Sequence, residues 1–121
     1  MSERGITEHL SDILEAIKRI QDYISGMDYQ TFLKDLKTRD AVIRNLEVIG
    51  EAAKNTNDDF REQNPGVPWK EMSGLRDKLI HHYFGVNFEI VWTIIHDELP
   101  GTQENIKIIL DEISQETESD Q

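Results

Sequence analysis

Trp69-Lys70-Glu71-Met72-Ser73-Gly74-Leu75-Arg76-Asp77-Lys78-Leu79-Ile80-His81-His82-Tyr83 is the stretch that decides the fold. Met72, Leu75, Leu79 and Tyr83 recur at helical spacing, and Val86 continues the same face. Pro68 stands immediately before it, where a missing backbone N–H costs a helix little. Upstream, Asn64-Pro65-Gly66-Val67-Pro68 is the clearest breaker in the chain. The spacing therefore predicts a helix from about Trp69 to Tyr83, ended or bent at Gly85.

The same period runs outward in both directions. Ile6, Leu10, Ile13, Ile17, Ile20 and Ile24 form one stripe, with Thr7 as the expected N-cap and Gly26 as the stop. Asp28 caps a second region carrying Phe32, Leu33 and Leu36. Val42, Leu46, Ile49 and Ala53 carry a further stripe to about Asn55; whether the two regions are one kinked helix or two stays open here. Asn55 to Asp59 reads as a turn, and Phe60 to Gln63 as one helical turn. Ile90, Val91, Ile94 and Ile95 mark a helix expected to stop at Leu99-Pro100-Gly101. Ile106, Ile109, Leu110 and Ile113 mark the last one.

No alternating strand pattern and no repeat interrupts this series. The expected fold is all-α, a single antiparallel bundle of five to six helices over residues 1–114, followed by an acidic, disordered tail over 115–121. From Asp111 to Gln121 there are five acidic residues and no basic one.

Composition narrows the function. The 121 residues make one domain. There is no cysteine, which excludes disulfides and thiolate metal sites. No apolar run approaches the ~20 residues that span a bilayer, and the first residues lack a signal-peptide stretch; the expectation is a cytoplasmic protein with no membrane contact. The formal net charge of −11 disfavours phosphate contacts over most of the surface. Arg39 to Arg44 and Lys70 to His82 are closer to balance. Arg39 and Arg44 either guide phosphates or neutralise nearby acids.

Arg76, His81 and Tyr83 form an Arg-x4-His-x-Tyr motif. With it stand Ala41-Val42-Ile43-Arg44-Asn45-Leu46-Glu47-Val48-Ile49-Gly50-Glu51-Ala52-Ala53-Lys54, then Val67-Pro68-Trp69-Lys70 leading into Gly74-Leu75-Arg76-Asp77, and Val91-Trp92 leading to Leu99-Pro100. In order and spacing this set resembles the HepT-like branch of the HEPN superfamily over almost the whole chain. The resemblance implies a homodimeric, metal-independent ribonuclease toxin needing no cofactor, paired in a type II or VII-like toxin–antitoxin system. It also implies a nucleotidyltransferase antitoxin of the MntA type that AMPylates the motif tyrosine, here Tyr83.

The residue types suit such chemistry. A histidine titrates near neutral pH and moves protons. An arginine offers a planar fork to two phosphate oxygens. His81 and Arg76 would supply these for attack of an RNA 2′-OH on the adjacent phosphorus, with Tyr83 contributing at the site. Asp77 is expected to orient the arginine or histidine, and Glu47 and Glu51, four apart on one helix, to pair with Arg44, Lys54 or Arg76, in the last case supporting the site; ordinary surface charge is the competing reading for all three. His82 is a reserve acid/base but more simply a packed histidine. Trp69 and Trp92 read as packing anchors. His81, His82 and His96 lack the His-x3-His or Glu-x-x-His spacing of helical metal sites. On an ideal helix Tyr83 lies about 20° from Arg76, but His81 lies roughly 140° away. Either the helix distorts, or a second copy completes the site. The alternative to an enzyme is a non-catalytic helical subunit that binds the nucleotidyltransferase.

Overall fold

A computed structural model describes the backbone of residues 2–81 and 86–119 and the side chains of residues 5–75 and 86–116. The helices are α1 (Ser2–Ile24), α2 (Tyr29–Lys34), α3 (Leu36–Asn55), α4 (Asp58–Gln63), α5 (Trp69–His81), α6 (Phe88–Thr93) and α7 (Leu99–Ser119). No strand occurs among the described residues, so the all-α expectation holds.

Most of the apolar stripes become the core, but two expected members do not: Leu36, which opens α3 rather than extending α2, and Ile90 on α6 are both exposed. Leu10, Ile13, Ile17 and Ile20 of α1 are fully buried against Val42, Leu46, Ile49 and Ala53 of α3. Each large aliphatic side chain removed from water in this way contributes about 1.5–3 kcal/mol. α3 packs on α1 and on α5, and α7 packs on α1. A reciprocal amide pair joins α1 to α7: Gln21 Nε2 donates to Gln103 Oε1 at 3.0 Å, and Gln103 Nε2 donates to Gln21 Oε1 at 3.2 Å.

Local chemistry sets the breaks. Gly26 has φ +77°, a left-handed conformation that favours glycine, and it follows the end of α1. Asp28 caps α2 by accepting from the Thr31 N–H at 2.8 Å. Asp35 resolves the open question between one helix and two. Its backbone N–H closes α2 on the Thr31 and Phe32 carbonyls, while its carboxylate accepts from the Thr38 N–H at 3.1 Å to open α3. Asn57 caps α4 through the Phe60 N–H. Arg61 covers the end of α3, donating from Nε to the Thr56 carbonyl and from Nη2 to that of Lys54.

Two expectations are corrected. Thr7 is not an N-cap, because α1 already begins at Ser2 and Gly5 does not interrupt it. Leu99-Pro100-Gly101 does not stop a helix. A π turn at Ile94–Glu98 joins α6 directly to α7, and the Leu99 N–H reaches back five residues to the Ile94 carbonyl. The wider turn shifts the hydrogen-bond register just before Pro100, which has no N–H to donate, so the rod continues. At its far end α7 runs to Ser119, beyond the boundary expected at residue 114; no Pro or Gly follows Ile113 to end it.

Candidate active site

α5 is pinned at its start. Trp69 is 5% exposed, donates from Nε1 to the Asn64 carbonyl at 2.9 Å, and meets Phe60 edge-on with centroids 6.1 Å apart. The Met72 N–H closes the first turn on the Pro68 carbonyl at 3.0 Å. Trp69 is thus the packing anchor the sequence suggests. These contacts set the start of α5 beside the end of α3 and α4. The chain beyond α5 returns to the beginning of α3, where Phe88 lies under the Arg39 guanidinium. α3 and α5 therefore run antiparallel, and the His81 end of α5 points toward the N-terminal end of α3.

From Trp69 to His81 the backbone of α5 is an unbroken α-helix. Positions 76 and 81 consequently stand roughly 140° apart around its axis, as ideal geometry requires. No distortion up to His81 turns the two positions onto one face. The side chains of Arg76, Asp77 and His81, and all of His82 and Tyr83, lie outside the described residues.

The supporting acids are placed more fully. Glu47 and Glu51 of α3 share one face and line a groove of about 420 Å³ with His9 and Asp12 of α1, Arg44 and Asn55. Val48 and Ala52 contribute its apolar wall. Arg44 Nη1 lies 3.7 Å from Glu47 Oε2, with the arginine side chain 75% exposed. At that distance and exposure the pair holds Glu47 weakly. Asn55 Nδ2 approaches Glu51 Oε1 at 3.4 Å, the long end of hydrogen bonding. Glu47 and Glu51 are thus brought together as one face. His9 was missed by the sequence reading; the only signal for it was its place one residue before Leu10, at the edge of the α1 stripe.

Trp92 packs against Phe32 in a tilted pair with centroids 5.2 Å apart and lies near Tyr29 at 6.2 Å, so it too is an anchor. Its ring is also covered by His96, stacked at 5.2 Å, whose Nδ1 sits 2.8 Å from Asp97 Oδ1. Among the described residues no three His, Asp or Glu side chains are gathered in a way that could hold a metal ion. No described helix is long and apolar enough to cross a membrane.

The family model described as "Ribonuclease HepT-like" matches residues 13–109. A Methanocaldococcus jannaschii protein named "Putative RNase MJ0127" is 50% identical over 119 residues, covering 98% of each chain. A second protein of that archaeon, "Putative RNase MJ1380", is 43% identical over 90% of this chain and 100% of its own. "Probable ribonuclease HepT" of Thermococcus cleftensis is 45% identical over 82% of this chain and 90% of its own. No solved structure matches.

Proposed function

The chain belongs to the HepT-like ribonuclease family, and from that premise we propose that it is a metal-independent endoribonuclease toxin held silent by a nucleotidyltransferase partner. The observation that carries the reading is α5 itself. It presents the Arg-x4-His positions on a rigid α-helix packed along α3, the helix that bears Glu47 and Glu51.

In the proposed reaction the RNA 2′-oxygen bonds to the adjacent phosphorus and the bond to the 5′-oxygen breaks. His81 handles the proton that leaves the 2′-OH or the one that joins the 5′-oxygen. Arg76 holds the charge on the non-bridging oxygens. The products carry 2′,3′-cyclic phosphate and 5′-OH ends. Because positions 76 and 81 diverge by roughly 140° on one helix, the arginine of one copy serves with the histidine of another in a homodimer. Glu47, Glu51 and Asp77 orient these groups, with His82 as a reserve acid/base. Tyr83 contributes at the site, and its hydroxyl oxygen bonds to the α-phosphorus of ATP held by the partner, losing its proton and releasing pyrophosphate, so that the tyrosine carries AMP.

The test uses purified protein and RNA in EDTA. Wild type cleaves, and Arg76→Ala and His81→Ala each do not. A mixture of the two inactive variants regains activity once subunits exchange, because each mixed dimer, unlike either homodimer, forms one intact composite site. Linear 3′-phosphate products that require added divalent metal would refute the mechanism. Absence of cleavage by every form, with the transferase still bound, leaves the non-catalytic subunit as the reading. For Tyr83, AMP-sized mass steps that survive Tyr83→Phe in the presence of ATP and the transferase would overturn the modification site.

A further inference from the structure

In the sequence Arg39 and Arg44 are indistinguishable as phosphate guides or charge balancers; their surroundings separate them. Arg19, Arg44 and Arg61 each face a carboxylate, that of Glu15 at 2.7 Å, Glu47 at 3.7 Å and Asp58 at 3.9 Å. Arg39 has no carboxylate within ion-pair distance among the described residues. Its guanidinium carbon stands 3.9 Å from the centre of the Phe88 ring, and Nη1 donates to the Leu33 carbonyl at 3.2 Å. Its Nε is buried with no hydrogen-bond partner.

A guanidinium with no counter-ion among the described residues is unexpected in a chain with 24 acidic and 13 basic residues. The aromatic face and the carbonyl hold it in place, and no carboxylate among the described residues neutralises its charge. The surrounding segment is the locally basic one. Residues 33–44 hold Lys34, Lys37, Arg39 and Arg44 against Asp35 and Asp40, four cations to two anions. The Asp35 carboxylate is occupied in capping α3. The site also lies at the end of the bundle toward which the His81 end of α5 points.

We propose that Arg39 anchors a backbone phosphate of single-stranded RNA at the corner between α2 and α3, with Lys37 as a flanking contact. A planar, pre-positioned fork suits a phosphate, whereas a base edge would leave the charge unmatched. The polynucleotide is identified as RNA on the strength of the ribonuclease reading above. The phosphate contact itself rests on the geometry of Arg39.

The experiment measures binding of a short 2′-O-methyl RNA strand, which lacks the attacking hydroxyl, across a range of salt concentrations. Arg39→Met retains much of the apolar stem against Phe88 and removes the charge. It is expected to weaken binding roughly tenfold, the scale of one charge-assisted hydrogen bond. It should also flatten the slope of log affinity against log salt by about 0.7. Lys37→Ala, at an exposed position, is expected to flatten that slope in the same direction with an unchanged melting curve.

Unchanged affinity and slope in both variants overturn the inference. Should Arg39→Met fail to fold, Lys37→Ala decides: an unaltered slope again overturns it. If Arg39→Met weakens AMP binding but not strand binding, the site takes a mononucleotide and the RNA assignment is wrong. Cleavage of unmodified RNA by wild type is scored separately. Wild type that cleaves while Arg39→Met binds normally defeats only this inference. Wild type that does not cleave while Arg39→Met loses binding defeats the enzyme and leaves the anchor.

Discussion

Replacing Gly74 by alanine should make the protein more stable. Gly74 lies inside α5, where glycine costs about 1 kcal/mol relative to alanine because its backbone loses more freedom on folding. Its φ is not in the positive range, so no conformation there requires glycine. A Cβ built on it meets nothing within 4 Å, so alanine introduces no clash. The expected gain is therefore close to the full propensity difference, about 1 kcal/mol. For a chain of 121 residues the unfolding entropy near the midpoint is about 250 cal/mol/K, which converts that gain to a rise in Tm of about 4 °C. Scanning calorimetry of both proteins at one protein concentration measures it. A Tm that falls, or does not move, would refute the reasoning, because something must then occupy the space beside Gly74. If that occupant is a second copy, the loss should depend on protein concentration, and Gly74→Leu should dissociate the dimer.

Phe32→Ala should cost about 3–5 kcal/mol. Phe32 is fully buried and its ring meets both Phe88 and Trp92; urea unfolding would show the loss, and a change under 1 kcal/mol would contradict this packing. Gln103→Ala should cost about 1 kcal/mol by breaking the amide pair with Gln21, and the Gln21→Ala, Gln103→Ala double variant should lose less than the sum of the two. Asp28 and Asp35 have carboxyls held below their ordinary value of 3.8, first by the backbone N–H of Thr31 and of Thr38 respectively. Below that value the unfolded chain takes up protons before the folded one does. The stabilisation from these caps is thus present above it and is lost as pH falls through the lowered pKa. Asp35→Asn keeps a capping acceptor and should flatten this part of the acid limb; an acid limb identical to wild type would count against the assignment.

The helical series was legible because burial repeats every three to four residues. Ile13, Ile17 and Ile20 fall on one face whatever they pack against, and Asp28 and Gly26 carry their own turn chemistry. Boundaries that depend on relations between neighbouring turns were not legible. Leu99-Pro100-Gly101 looks like a stop because proline has no N–H and glycine favours ends, yet a π turn one step earlier removes the conflict. Thr7 looks like a cap, but capping is decided by where the backbone enters the helix, and Thr7 already lies inside α1.

The site divides in the same way. The residue types in Arg-x4-His-x-Tyr and their helical spacing are properties of the chain alone, and so is the divergence between positions 76 and 81 once the helix is regular. The identity of the charges that neutralise one another is not a local property. Arg44 finds Glu47 one turn along its own helix. Arg39, five residues earlier, is carried over the ring of Phe88, a residue 49 positions away in sequence, and meets no described carboxylate. Periodicity settles which face of a long helix such as α1 leaves water, because burial responds to spacing; in short segments it is a weaker guide, and Leu36 and Ile90 stay exposed. Which side chains then meet across helices depends on how α2, α3 and α6 are packed together, and only the tertiary structure decides that.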